Sequence, residues 1–187
     1  METHGLVVIT AFCFLGLSMI ILGATISGKG IRFLGKPTID KYFFYTGKLS
    51  LLGSLMLFLS KAIFPGMGLI PVPPALSWVA AMLFCLAGIL FIIAFGNLGT
   101  SLRVGLPEQE TVLKTTGIFR FSRNPLYMSV YLICLASLMY YPNQVNLVLV
   151  AYGIFVHHRI ILGEEKFLTE KFGSQWEEYR KKVGRYL

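Results

Sequence analysis

Apolar residues in this chain come in long unbroken runs instead of alternating with polar positions, and the runs define an architecture before any single residue is considered. Five runs are long enough, or nearly so, for the ~20 residues a helix needs to cross a bilayer core: Leu6 to Ile26, Phe43 to Phe64, Leu76 to Phe95, Leu126 to Tyr141 and Val145 to Leu162. The last two are short and only Pro142-Asn143-Gln144 divides them, so they read as a helical hairpin. The pattern predicts an all-α, polytopic membrane protein with five transmembrane helices in a single membrane domain. Residues 1–96 would be scaffold helices, and residues 97–187 would hold the hairpin and the polar clusters that flank it. Small residues in the first two runs, Gly16, Ser18, Gly23, Gly47, Gly53 and Ser54, read as close helix contacts.

Beyond the last run, Leu168, Phe172, Trp176, Tyr179 and Val183 fall on one helical stripe with most lysines and glutamates off it. This predicts a C-terminal amphipathic helix on the cytoplasmic surface, serving either as an anchor or as a lid. Ser174 and Glu177 have capping-box spacing, so a fresh helix is expected after Gly173.

Composition and charge sharpen the picture. The chain of 187 residues is 55% hydrophobic and only 14% charged, which excludes an ordinary soluble domain. Its formal charge of +8 is spread over alternate loops and mixed with carboxylates, which suits an anionic membrane leaflet and not nucleic acid. Lys29, Arg32, Lys36 and Lys41 follow the first run, Arg103, Lys114, Arg120 and Arg123 the third, and Lys166, Lys171 and Arg180 to Arg185 the fifth, while residues 65–75 and 141–146 carry no charge. The positive-inside rule then puts the N-terminus outside and the C-terminus in the cytoplasm, in a bacterial inner membrane or the endoplasmic reticulum. Lys48 and Lys61 read as snorkelling residues of the second span. The segment before the first run has an acidic residue and no lysine or arginine, so that run is read as retained and not as a cleaved signal. Cys13, Cys85 and Cys134 lie in three different runs without ligand spacing, and no metal site is expected.

Two polar clusters remain. The first, Thr115 to Tyr127, contains Arg120, Arg123, Asn124 and Pro125; Asn124 is a good N-cap and Pro125 a good first helical residue, so a helix is expected to start there with its unpaired N–H groups beside two arginines. That arrangement suits an anion, or simply a capped span with interfacial arginines. The second cluster is His157-His158-Arg159, then Glu164-Glu165 and Phe172-Gly173. His157 and Glu164 share a helical face, as do His158 and Glu165. Arg159 so close to the membrane calls for a carboxylate or an anionic acceptor.

Gly117-x-Phe119-Arg120-x-x-Arg123-Asn124-Pro125-x-Tyr127, a helical hairpin, then Glu164-Glu165-x-x-Leu168-x-x-x-Phe172-Gly173 together resemble the isoprenylcysteine carboxyl methyltransferase and phospholipid methyltransferase family of integral-membrane enzymes. The resemblance covers about Leu98 to Leu187, and Leu98-Gly99 and Ser101 match it too. It implies S-adenosylmethionine as cofactor at the cytoplasmic ends of the last two spans. Leu113, Gly117, Arg123, Asn124, Pro125 and Tyr127 would form one wall, with Glu164 and Glu165 the other. Arg159 would orient a lipophilic or prenylated acceptor arriving from the membrane lipids; an amine acceptor would ask for a base, for which Glu165 and His157 are the candidates. The first acceptor implied is a prenylcysteine-like carboxylate; a phospholipid amine or a thiol is the alternative. Asn124 stands where many members have histidine and Phe119 where many have tyrosine, which removes a proton-handling group at each place. The reading from another class is a non-catalytic membrane transport or assembly subunit in which the same charges form structural ion pairs.

Overall fold

The computed structural model describes residues 2–27, 35–99 and 112–186. Among them, the regular elements are α1 (Thr3–Ser27), α2 (Lys41–Ile63), α3 (Pro74–Leu98), a 3₁₀ turn (Gly117–Arg120), α4 (Pro125–Tyr140), α5 (Gln144–Phe172) and α6 (Ser174–Lys182). The apolar runs therefore became helices, close to the expected bounds except that α5 continues ten residues beyond Leu162, to Phe172. Four of these, α1, α2, α3 and α5, are long and apolar enough to cross a membrane. α4 is apolar but has 16 residues, about 24 Å at the 1.5 Å rise of a helix, against a hydrocarbon core of about 30 Å.

Local chemistry sets the helix starts. Asp40 Oδ1 accepts from the Tyr42 and Phe43 amides, and Asn143 Oδ1 accepts from those of Val145 and Asn146, so α2 and α5 begin with side-chain caps. α3 and α4 begin instead with a proline in the first turn, where its missing N–H costs nothing. Asn124 is the N-cap of α4, but its side chain makes no capping hydrogen bond. The capping box expected at Ser174 does not form either: Gly173, in the left-handed region at φ 49°, ends α5 and caps α6, and Ser174 is already helical.

α3 packs chiefly against α4, and α2 against α5. Lipid tails are as apolar as leucine, so helices in a membrane associate through close packing and polar contacts more than through apolar burial. Both devices are present between α2 and α5. A Cβ at Gly47 would collide with Val156, and one at Gly153 with Leu51 and with Ser50 Oγ. Gly16 and Gly23, which the sequence pattern had grouped with Gly47, meet nothing within 4 Å. Near one end of the bundle, fully buried Asn146 accepts from Ser54 Oγ at 2.7 Å and donates to the Ser137 and Tyr141 carbonyls at 3.2 and 3.0 Å, joining α2, α4 and α5. At this same end His4 Nδ1 lies 2.8 Å from Tyr140 OH. Lys61 is not a free snorkelling residue, since its ammonium donates to the Pro65 and Met67 carbonyls and closes the α2–α3 loop.

The opposite end holds the close of α3, the start of α4 and the last turns of α5. α5 is 29 residues long, about 43 Å, so a core entered at Gln144 is left near Gly163. Glu164 and Glu165 thus stand where the helix emerges. Gly163 itself has no room for a Cβ, which would meet Thr38 Cβ at 2.8 Å.

Asn146→Ala is expected to lower stability by roughly 1 to 2 kcal/mol, because Ser54 and Ser137 lose a buried partner. Val148→Ala on the exposed face of α5 should leave stability unchanged. Thermal unfolding in detergent measures both.

Candidate functional site

The polar end of the bundle is built from three pieces of chain that are distant in sequence: Gly117 to Tyr127, His157 to Glu165, and the tail from Trp176 to Tyr186. The 3₁₀ turn brings the first piece in. Gly117 sits at φ +63°, and a Cβ there would run into the Asn97 side chain of α3, so only glycine fits the approach. Gly99, likewise left-handed at φ 51°, ends α3 nearby in sequence, and Ser101 lies outside the described residues. Leu113 is half-buried in the segment leading to the turn.

The two glutamates are treated differently. Glu164 Oε1 accepts from Tyr127 OH at 2.9 Å, and the Tyr127 ring also stands edge-on to His157, with centroids 6.0 Å apart. Lys48 of α2 lies within Coulombic reach of both Glu164 and His157, with its ammonium 4.6 Å from the Phe44 ring centre. Lys48 therefore adds positive field at this end of the bundle and makes no ion pair with either group among the described residues. Glu165 is held between two guanidinium groups. Arg123 Nη1 is 3.2 Å from its Oε1, while Arg185 donates from Nε at 3.1 Å to each oxygen and from Nη2 at 2.8 Å to Oε2. The hydrogen bonds to Glu165 raise the Arg185 pKa above its ordinary value. Two cations around one carboxylate leave this cluster with a net charge of +1.

The tail completes the enclosure. Arg185 O accepts from Asn124 Nδ2 at 3.2 Å and Ser122 Oγ at 3.3 Å, and Gly184 O accepts from the Arg123 amide at 3.0 Å. Tyr186 OH lies 2.7 Å from His158 Nδ1. In α6 the stripe of apolar residues packs inward on protein. Trp176 is 2% exposed beneath the Arg123 guanidinium, 5.5 Å from its ring centre, and Tyr179 OH donates to Phe119 O at 2.7 Å. Burial pushes the Tyr179 phenol up to about 12, with Arg123 pulling in the opposite direction.

The structure thus brings Gly117, Arg123, Asn124, Pro125, Tyr127, Glu164 and Glu165 to one end. Arg159 stands apart. It is exposed, on the stripe of α5 that also exposes Phe155 and Leu162, and it forms no hydrogen bond or ion pair among the described residues. His157 is buried and bonded to the Gly153 carbonyl at 2.8 Å. The residues that sequence reasoning passed over as site members are Lys48, Trp176, Arg185 and Tyr186. A lysine at the sixth position of an apolar run was a usable signal for Lys48. None existed for Arg185, which looks like any other basic residue of the tail.

The model of the family described as phospholipid methyltransferase matches residues 75–175, more than half of the chain. The chain belongs to this family of membrane methyltransferases. It is also similar to the protein-S-isoprenylcysteine O-methyltransferase of Saccharomyces cerevisiae, with 33% identity over 79 residues. That match takes in 41% of this chain and 33% of the relative, so the chain corresponds to about a third of the relative's length.

Proposed function

We propose that the protein transfers a methyl group from S-adenosylmethionine to a lipophilic acceptor at the polar end of the bundle. The observation that carries this reading is the convergence of the two family motifs there, with Tyr127 on Glu164 and Arg123 on Glu165. The residues present fit the cofactor's opposed charges. Glu164 has a second oxygen with no hydrogen bond among the described residues, which suits the methionyl ammonium. The Arg123 Nε–H and the Trp176 Nε1–H are buried donors without partners among the described residues, in a cluster of net positive charge, and they suit a carboxylate. Leu113, Gly117, Asn124 and Pro125 line the same wall, and Glu165 fixes it from the opposite side.

When bound, the cofactor supplies an electrophilic methyl group on a sulfonium. The chain's own contribution is to bind, orient and exclude water. Transfer to an anionic oxygen or sulfur removes charge, so a dry and oriented pocket favours it with little acid–base help. The acceptor in this reading is a prenylcysteine-like carboxylate that arrives through the bilayer and meets Arg159, whose stripe of α5 is apolar and exposed on either side of it. An amine acceptor, as in a phospholipid headgroup, would need a base. Glu165 could serve only by leaving both arginines, which is the physical argument for the anionic acceptor over the amine.

The reading includes five spans, with the bilayer thinned around the short α4, the N-terminus outside, and the polar end in the cytoplasm of a bacterial cell or on the cytoplasmic side of the endoplasmic reticulum. The alternation of basic and uncharged loops supports that orientation. A single cysteine placed at Arg180 should be labelled by a membrane-impermeant thiol reagent only after the membrane is opened. Labelling in intact cells would reverse the topology.

Calorimetry in detergent should detect S-adenosylmethionine binding, and Glu164→Gln should weaken it roughly 10-fold to 100-fold, the equivalent of one charge-assisted hydrogen bond. A folded parent protein that binds no cofactor would rule out the enzyme reading.

With methyl-labelled cofactor and a panel of prenylcysteine, thiol and phosphatidylethanolamine acceptors, label is expected in the prenylcysteine ester. Arg159→Lys should keep part of the activity by charge, and Arg159→Ala should lose far more. Label confined to phosphatidylethanolamine would overturn the anionic acceptor.

A further inference from the structure

The tail does more than cover the site. Three of its hydrogen bonds end on consecutive residues of the first motif: Gly184 O on the Arg123 amide, and Arg185 O on Ser122 Oγ and Asn124 Nδ2. Its side chain ends on the second motif, with three contacts from Arg185 to the Glu165 carboxylate. Arg185 is therefore a single residue that grips both motifs, by its carbonyl on one side and its guanidinium on the other. The geometry of the fork is the planar two-pronged match between guanidinium and carboxylate, which a lysine cannot reproduce.

The consequence falls on Arg123. Glu165 contacts Arg123 through Nη1 only, leaving the Nε–H buried over the Trp176 ring without a partner among the described residues. The Arg123 guanidinium thus depends for its orientation on where Glu165 stands, and Glu165 is held on both oxygens by Arg185. Without Arg185, Glu165 would turn fully to the Arg123 fork and draw its free donor away from the site.

We propose that Arg185 is a positioning residue for cofactor binding: it holds Glu165 so that the Arg123 Nε–H stays available to an anionic group, and it thereby makes the C-terminal tail the third wall of the site. This rests on the functional reading above and names a residue that neither family motif contains. Arg185 acts through Glu165 and touches no reacting atom.

The test uses the full chain in detergent with S-adenosylmethionine as probe, and a second readout that needs no cofactor. Arg185→Ala should weaken binding roughly 10-fold to 100-fold, the loss expected for a charge-assisted contact, with Arg185→Lys falling between parent and alanine. In a double-mutant cycle with Glu165→Gln, the double variant should bind no worse than the weaker single variant, because both act on one arm. The KM for the acceptor should not change. In unliganded protein, amide exchange at Arg123 should speed up in Arg185→Ala while α2 and α3 keep their protection. Parent-like binding by a folded Arg185→Ala variant, additive losses in the cycle, or unchanged exchange at Arg123 would each overturn the proposal. If the parent itself binds no cofactor, the functional reading falls and the cofactor half of this proposal with it; faster exchange at Arg123 would then still support the Arg185 link between the motifs.

Discussion

The ion cluster of Glu165 with Arg123 and Arg185 is the constraint on which the polar end of the molecule depends. A carboxylate this enclosed, with its side chain 13% exposed, is costly unless fully paired, and here guanidinium groups from two separate segments satisfy it. Those segments come from the start of α4 and from beyond α6, while the glutamate comes from the last third of α5. No two of the three are neighbours in the chain, so the cluster fixes the relative placement of pieces that backbone connectivity leaves free. Removing Glu165 would leave two guanidinium groups facing each other without their shared carboxylate, so the arrangement depends on that one side chain.

The far end of the bundle supplies the counterpart. Asn146, Ser54 and Ser137 form a saturated buried node across α2, α4 and α5, and the glycine contacts at Gly47 and Gly153 bring α2 and α5 within close range. This holds the hairpin and α2 as one body. Gly47 precedes Lys48 in α2, so the same close packing helps set where Lys48 lies, within Coulombic reach of Glu164.

Adjacent glutamates on one helix point about 100° apart, and the surroundings divide their work. Glu164 meets a phenol and a lysine's field and keeps one oxygen without a hydrogen bond among the described residues; Glu165 has both oxygens taken by guanidinium groups. One is suited to receive a cation from a ligand, and the other to hold protein groups in place. The sequence shows only a doublet, and nothing in the two letters separates the roles.

What the sequence determined by itself is the set of helices and the end of the bundle where the two motifs gather. Apolar runs near the length of a membrane core have no stable alternative to a helix there, because every backbone group must be satisfied internally. Proline, asparagine and glycine at the run ends then set the boundaries by local geometry alone. The two motifs were legible for the same reason: their residues are close in sequence and bound to helix ends. What only the tertiary structure decided are the long-range pairings. Arg185 on Glu165 and Trp176 under Arg123 join residues 20 and 53 positions apart. It also packs Trp176 and Tyr179 of α6 on protein, which the choice between anchor and lid left open, since an amphipathic period says that one face is buried and not what buries it.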